Sequence, residues 1–437
     1  MRSTGIHPAI EATRETGAFG PRLEERFLGI RAFSEKLTEG LLPEDFVVQS
    51  MTDVSPLKWH LAHTTWFFEY FVLLQHAAGY RPLDPRYHHL FNSYYVQAGE
   101  RHCRAQRGYL SRPTVREVLD YRAHVDDAMT QFLMAGEPPR VLAELVELGL
   151  HHEQQHQELI LTDLKHVFSV NPLRPEYRPR ATGAPRASAR TLRWIENPEG
   201  LREVGAAAEG FSFDNERPRH RVYLKGFALA DRLATCGEFL EFMKDGGYER
   251  ADLWMSDGWA VARERGWTEP FYWEKRDGEW WVFTLTGMRR VEAADPVCHL
   301  SWYEADAFAR WAGARLPTEF EWEVVAADLP VAGNLVEAGH YHPIPATDPA
   351  LRTGSSPTQM FGDLWEWTGS SYRPYPGFIP APGAIGEYNG KFMSNQFVLR
   401  GGSCATSGSH LRATYRNFFH PDACWQFSGV RLAKDVG

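Results

Sequence analysis

Apolar positions recur with helical spacing from Arg22 to Thr38, and Pro43 with Asp45 marks a turn after them. A second helix is predicted from Pro56 to Ala77, with Ser55 as its cap and Pro56 at its first position. It carries Trp59, His60, His63, Trp66, Phe67, Phe68 and Tyr70 and is apolar almost all round, as a helix in the middle of a bundle must be. A third helix reads from Thr114 to Met134, and Gly136-Glu137-Pro138-Pro139 separates it from a fourth, Val141 to Phe168. Between the second and third lies a long loop, Tyr80 to Pro113, holding Phe91-Asn92-Ser93-Tyr94-Tyr95 and Arg101, Arg104, Arg107 and Arg112. A loop of that length with so many aromatics points to function rather than disorder.

The polar run His151-His152-Glu153-Gln154-Gln155-His156-Gln157-Glu158 falls inside the fourth helix. Residues four apart on a helix differ by ~40° of rotation and about 6 Å of rise, so His152 and His156 leave one face side by side. Leu145, Leu148, His152, Gln155 and Leu159 follow a 3,4 spacing, which predicts that this stripe faces a core. Two inward imidazoles need partners, and a metal ion with a third ligand from elsewhere would supply them.

The periodicity stops after Phe168. Residues 169–190 are rich in Pro, Arg and Ala and read as a linker. Beyond it segments are short, Trp and Gly are frequent, and helical spacing returns only near Cys236 to Lys244 and Trp302 to Trp311, which predicts a loop-rich α+β domain. The expected plan is a flexible lead-in (1–20), a helical bundle (21–168), the linker (169–190) and an α+β domain (191–437).

A chain of 437 residues suits two domains, and a net charge of −9 argues against a general nucleic-acid binder. The five cysteines form no CxxC pair and no even framework, which fits a reducing compartment. With no signal-like start and no apolar run of membrane length, a cytoplasmic protein without a membrane partner is expected.

A mononuclear metal site needs at least three protein ligands, and the central helix offers His63, with His60 three positions away as competitor. Three neutral imidazoles would leave a divalent metal its full charge and open positions for a thiolate, water or dioxygen. Tyr94 and Tyr95, if extended, would point to opposite sides, one of them able to face the metal as a proton donor. The nearby arginines suit a substrate carboxylate.

Pro296-Val297-Cys298-His299-Leu300-Ser301-Trp302, Arg315-Leu316-Pro317-Thr318-Glu319-Phe320-Glu321-Trp322-Glu323, Gly362-Asp363-Leu364-Trp365-Glu366-Trp367-Thr368 and Leu399-Arg400-Gly401-Gly402-Ser403 resemble the signature of formylglycine-generating-enzyme/sulfatase-modifying-factor domains. That resemblance implies a C-type-lectin-like α+β fold, and Cys404 and Cys424 are too far apart to match the closely spaced pair of the formylglycine-generating enzymes themselves. Ser55-Pro56-Leu57-Lys58-Trp59-His60-Leu61-Ala62-His63 and His152-Glu153-Gln154-Gln155-His156 resemble the two ligand motifs of DinB-like four-helix metal domains, in which the histidine after Leu-Ala is the ligand. Together the halves resemble the ergothioneine-biosynthesis sulfoxide synthases, which implies a non-haem Fe(II) enzyme that uses dioxygen to join a thiol to the imidazole of Nα-trimethylhistidine (hercynine). The implied ligands are His63, His152 and His156.

The same resemblance places Gln155, Asn417 and Phe418 around the trimethylhistidine and Arg104 and Arg107 on the carboxylate of the thiol substrate. Users of γ-glutamylcysteine have Asp and Arg where this chain has Phe419 and Ala423, so cysteine is the expected thiol. The proton donor is expected among Tyr94 and Tyr95, with Tyr95 favoured. Tyr372 and Tyr375 are the corresponding choice in relatives that supply it from the second domain. An ovothiol-type synthase acting on unmethylated histidine, and a Zn-dependent thiol transferase of the DinB type, are the competing activities.

Overall fold

In a computed structural model, residues 22–179, 190–346 and 356–436 are described; the expected lead-in over 1–20 lies outside them. Four long helices form the first domain: α1 (Leu23–Lys36), α2 (Leu57–Phe68), α3 (Val115–Met134) and α4 (Arg140–Val170). All of α2 is buried, and it packs on both α3 and α4, as its all-round apolar surface predicts. It continues through a wider turn at Glu69–Leu73 to His76.

The start of α2 differs from the expectation. Ser55 does not cap it, because its hydroxyl accepts from Arg107 and its N–H donates to Asp163 on α4, at 2.9 and 2.8 Å. Thr114 does cap α3, in a reciprocal capping box with Glu117.

The depth of the α2–α4 contact depends on Gly149. A Cβ there would meet the Phe68 and Phe67 rings at 2.6 and 2.8 Å, so only a hydrogen at this position lets the two histidine-bearing helices come this close.

The joint after α4 is not a loose spacer where it is described. Tyr177 is buried and donates its hydroxyl to the Leu37 carbonyl, while Arg174 pairs with Glu274 at 2.7 Å. The second domain is α+β, as expected. Its strands include β1 (Trp194–Asn197), β2 (Gly200–Val204), β3 (His220–Leu224), β4 (Phe227–Ala230), β5 (Trp273–Arg276), β6 (Glu279–Thr284), β7 (Gly287–Arg290), β8 (Trp365–Ser371), β9 (Phe397–Arg400), β10 (Asn417–Phe419), β11 (Ser428–Gly429) and β12 (Ala433–Asp435). They form four small sheets, ordered β1-β4-β12, β10-β9-β8-β11, β2-β3 and β5-β6-β7. Helices over Cys236–Lys244 and Trp302–Trp311 match the sequence reading, and Ser256–Arg265 and Glu319–Ala326 add two that it did not contain. No described helix is long and apolar enough to cross a membrane.

Helix α4 is the shared wall. Glu153 faces the bundle, where Arg31, Arg122 and Ser34 donate to its carboxylate at 2.6 to 2.8 Å. Burial pushes this carboxyl up, but the two guanidinium groups outweigh it and hold it down at about 2. On the opposite face, Gln154 donates to Ser407 and Ser409, and Trp365, Ser403 and Thr406 donate to Glu158, all from the second domain.

Candidate metal centre

His63 from α2 and His152 and His156 from α4 converge, with one ring nitrogen of each within 4.8 Å of the others. Their ring centroids are 4.7 to 4.9 Å apart and the planes steeply inclined, so the rings surround a point rather than stack. The Nδ1–H of His63 is committed to the Phe91 carbonyl at 2.6 Å, which leaves the Nε2 lone pair bare, and this buried atom has no protein partner. Neither ring nitrogen of His152 has one either. Burial pushes His152 down to about 3 and His63 and His156 well below the usual imidazole range, the neighbouring imidazoles adding to it in the latter two, so all three rings are neutral at pH 7.

Orphaned, neutral, buried nitrogens aimed at one point fit a divalent transition metal, because an empty cluster would leave their hydration uncompensated. His60, the competitor for third ligand, is otherwise engaged. Its Nδ1 lies 2.8 Å from His156 Nδ1 and its Nε2 lies 2.9 Å from Asp163 Oδ2.

The other expected site residues are placed unequally. Tyr95 is fully buried against Trp66 and Phe71, with its hydroxyl unpartnered. Tyr94 does not point away from it: the rings stack at 4.6 Å. The extended geometry fails because the Asn92 side chain closes a turn, accepting from the Tyr95 N–H and donating to its carbonyl. Burial raises the Tyr95 hydroxyl pKa well above the usual range, with Tyr94 and Tyr388 adding to the effect, so it is a protonated phenol at pH 7.

Gln155 departs from the inward stripe. It faces the second domain, donating to the Tyr415 hydroxyl at 2.7 Å and accepting from Tyr388. From the same stripe, Leu145 and Leu148 line a cleft of about 1110 Å³ together with Phe211, Phe213, Asp214 and Tyr388. The 3,4 stripe runs along a helix covered from two sides, and its residues divide between them.

The sequence does not single out Tyr388. Its ring stands 5.8 Å from His152 and 6.4 Å from Tyr94, so it closes the side of the centre that faces the cleft. It sits in a Gly- and Asn-rich run without periodicity, and no local signal distinguishes it.

Asn417 and Phe418 lie on β10, two and three residues beyond Tyr415, and Phe418 stacks on Tyr372 at 4.1 Å. Tyr372 and Tyr375 are buried in the second domain: Asn215 donates to Tyr372, and Tyr375 borders the Glu319–Arg400 pair. Phe419 meets Trp425 edge-on, and Ala423 is buried. Arg107 is buried with its guanidinium 3.3 Å over the Trp59 ring, which stacks in turn on His63, and its charge contributes to lowering His63 and His156. Arg104 is exposed and donates to the Asp53 carbonyl.

Residues 181–350 and 356–436 match the sulfatase-modifying factor enzyme 1-like domain, and residues 27–160 match the DinB superfamily. A helical bundle that offers three neutral imidazoles, closed by a sheet-rich domain of this kind, defines a two-domain protein with a candidate metal centre. The chain is 35% identical over 414 residues to a hercynine oxygenase of Mycolicibacterium smegmatis, covering 88% of this chain and 92% of that one. It is 34% identical over 407 residues to a hercynine oxygenase of Mycobacterium tuberculosis, with the same coverage. A shorter match, 26% over 239 residues, covers 52% of this chain and 28% of ergothioneine biosynthesis protein 1 of Schizosaccharomyces pombe. The chain belongs to the hercynine oxygenase family.

Proposed function

We propose that this protein is an Fe(II)- and O2-dependent sulfoxide synthase that joins the sulfur of cysteine to the imidazole ring of hercynine. The observation that carries the reading is the all-imidazole donor set, neutral and without a carboxylate, in a member of an oxygenase family. His63, His152 and His156 hold the metal. Fe(II) held there would supply the means to bind a thiolate and activate dioxygen.

The protein's own groups do the rest. Gln155, at the seam between domains, exchanges a tyrosine partner for the hercynine imidazole and orients it, so that proximity supplies much of the rate. Asn417 and Phe418 border the trimethylammonium group, where a ring face contributes about 0.5 to 2 kcal/mol. Arg107, whose Nε has no protein partner, anchors the carboxylate of the thiol substrate with Arg104 beyond it. Tyr95 keeps its proton until oxygen chemistry at the centre demands it. Phe419 and Ala423 offer no charge to a glutamyl group, so cysteine is preferred over γ-glutamylcysteine.

Metal-reconstituted protein incubated in air with cysteine or γ-glutamylcysteine, against histidine or hercynine, tests this by product mass. The expected product is the hercynine–cysteine sulfoxide, formed only with Fe(II) and oxygen. Turnover without oxygen would instead indicate a Zn-type thiol transferase, and coupling to unmethylated histidine at the other ring carbon an ovothiol-type synthase. Tyr95→Phe is expected to divert turnover to cysteine sulfinic acid. Tyr388 is the rival proton donor because its ring borders His152, and Tyr388→Phe in the same assay separates the two.

A further inference from the structure

We propose that His60 is a positioning residue for the metal centre, holding His156 in the one tautomer that leaves its Nε2 free to bind. The argument starts from a backbone amide. The Ser55 N–H donates to Asp163 Oδ2 at 2.8 Å, so that oxygen is an acceptor. His60 Nε2 lies 2.9 Å from the same oxygen and therefore carries a proton. In the neutral ring the lone pair is then on Nδ1. His156 Nδ1, 2.8 Å from it, must donate, and its Nε2 is bare.

Each proton position in this chain follows from the one before. The result for His156 matches what the Phe91 carbonyl does for His63 by independent means. His60, His63 and Asp163 are buried, so water does not replace these partners. The role asks for an acceptor and a donor at fixed separation in one planar group, which the imidazole supplies at this reach and an asparagine amide supplies in part. Outer partners of ligating histidines govern ring orientation and basicity in this way, and their loss typically weakens metal binding 10- to 100-fold, on the order of 1.4 to 2.7 kcal/mol.

The inference rests on the metal-site reading, and the experiment separates the two. Co(II) binding by the full-length, metal-free chain is measured in competition with a chelating dye, for the wild type and for His63→Ala, His60→Ala and His60→Asn, with circular dichroism as the check on folding. Nitrogen NMR of the histidine rings in the metal-free protein adds a readout that a merely structural role would not move.

Tight Co(II) binding is expected in the wild type and its loss in His63→Ala. His60→Ala should bind about 10- to 100-fold more weakly with an unchanged dichroism spectrum, and added imidazole should restore part of the affinity. His60→Asn should recover more, since its Oδ1 can stand where Nδ1 stood; this variant decides if the alanine one misfolds. NMR should find the His156 proton on Nδ1 in the wild type and divided between both nitrogens in His60→Ala. Wild-type affinity in both His60 variants, or a His156 proton on Nε2 in the wild type, overturns the proposal while leaving the metal site standing. A wild type that binds no Co(II) overturns the metal site and the proposal together.

Discussion

Two buried polar clusters in this molecule are handled in opposite ways. In the second domain, Arg431 grips Glu366 with two nitrogens at 2.7 and 2.8 Å, spends its remaining donors on the carbonyls of Ala230, Thr358 and Gln359, and leaves Glu366 to accept from Trp322 as well. In the bundle, His63 and His152 present three buried nitrogens to no protein atom. A fully satisfied cluster specifies a fold. One whose unmet valences share a focus is built around something the chain does not supply, and that difference separates the two where burial alone does not.

The largest expected effect breaks the first cluster. Glu366→Gln leaves the Arg431 guanidinium buried beside a neutral partner and should destabilise the protein by about 3 to 5 kcal/mol, read from urea unfolding. His152→Ala should cost the metal-free protein no more than about 2 kcal/mol, since the lost packing is partly offset by removal of two unpaired polar atoms, yet abolish Co(II) binding. Equal losses of metal-free stability in the two variants would refute the contrast.

This contrast was half legible in the sequence. The helical octet announced His152 and His156, because a spacing of four is local geometry. Glu319, Glu366 and Arg400 stood inside motifs identifiable on sight, but their partners, Arg416 and Arg431, could not be assigned, since each pairing spans folded distance rather than sequence distance. Gln155 reads as inward in the sequence for a physical reason: hydrophobic spacing reports that a helix face is covered, and cannot report which of two domains covers it. Ser55 carried a strong capping signal that two tertiary partners, Arg107 and Asp163, overrode.

The next effect is set by pH. Burial, with the Arg412 charge adding to it, holds His151 down at about 2, and His410, 2.9 Å away across the seam, is lowered for the same reasons. In the unfolded chain both take up protons near pH 6.5, so the unfolded state binds more protons below that value and stability falls as the pH falls. The contribution is fully present above about pH 6.5 and is lost below it, at up to about 1.4 kcal/mol per pH unit for each buried histidine. Metal-free protein should show a steep acid loss in urea midpoint. Metal should raise the midpoint without changing this slope, since His63, His152 and His156 are already neutral in the metal-free fold, and His151→Phe, which removes a seam histidine, should reduce the slope with or without metal. A slope indifferent to that substitution would remove the seam from the account.

Gly149→Ala tests whether the approach of α2 and α4 sets the focus. The added methyl meets two rings below 3 Å, and overpacking of this kind costs about 1 to 3 kcal/mol. Because the displaced helices carry His63, His152 and His156, Co(II) affinity should fall along with stability. A variant that lost stability and bound metal normally would show that the histidines find their positions independently of the helix contact.

The smallest expected effect belongs to a third kind of cluster, in which the partners can turn to one another. Gln154 donates to the hydroxyls of Ser407 and Ser409, at 3.1 and 2.6 Å, joining the two domains. Those hydroxyls lie 3.3 Å apart, and Ser407 also donates to Glu337 at 2.6 Å. In Gln154→Leu neither hydroxyl is orphaned, because each keeps the other, and a side chain of similar volume still fills the seam. The loss should therefore stay near 0.5 to 1 kcal/mol, the net worth of an ordinary hydrogen bond, far from the loss expected when Arg431 loses its counter-charge. Adding Ser407→Ala to that variant withdraws the alternative partner, and the pair should cost more than the sum of the two single changes. Strict additivity in that double-mutant cycle, measured by urea unfolding, would mean that the freed hydroxyls do not re-pair.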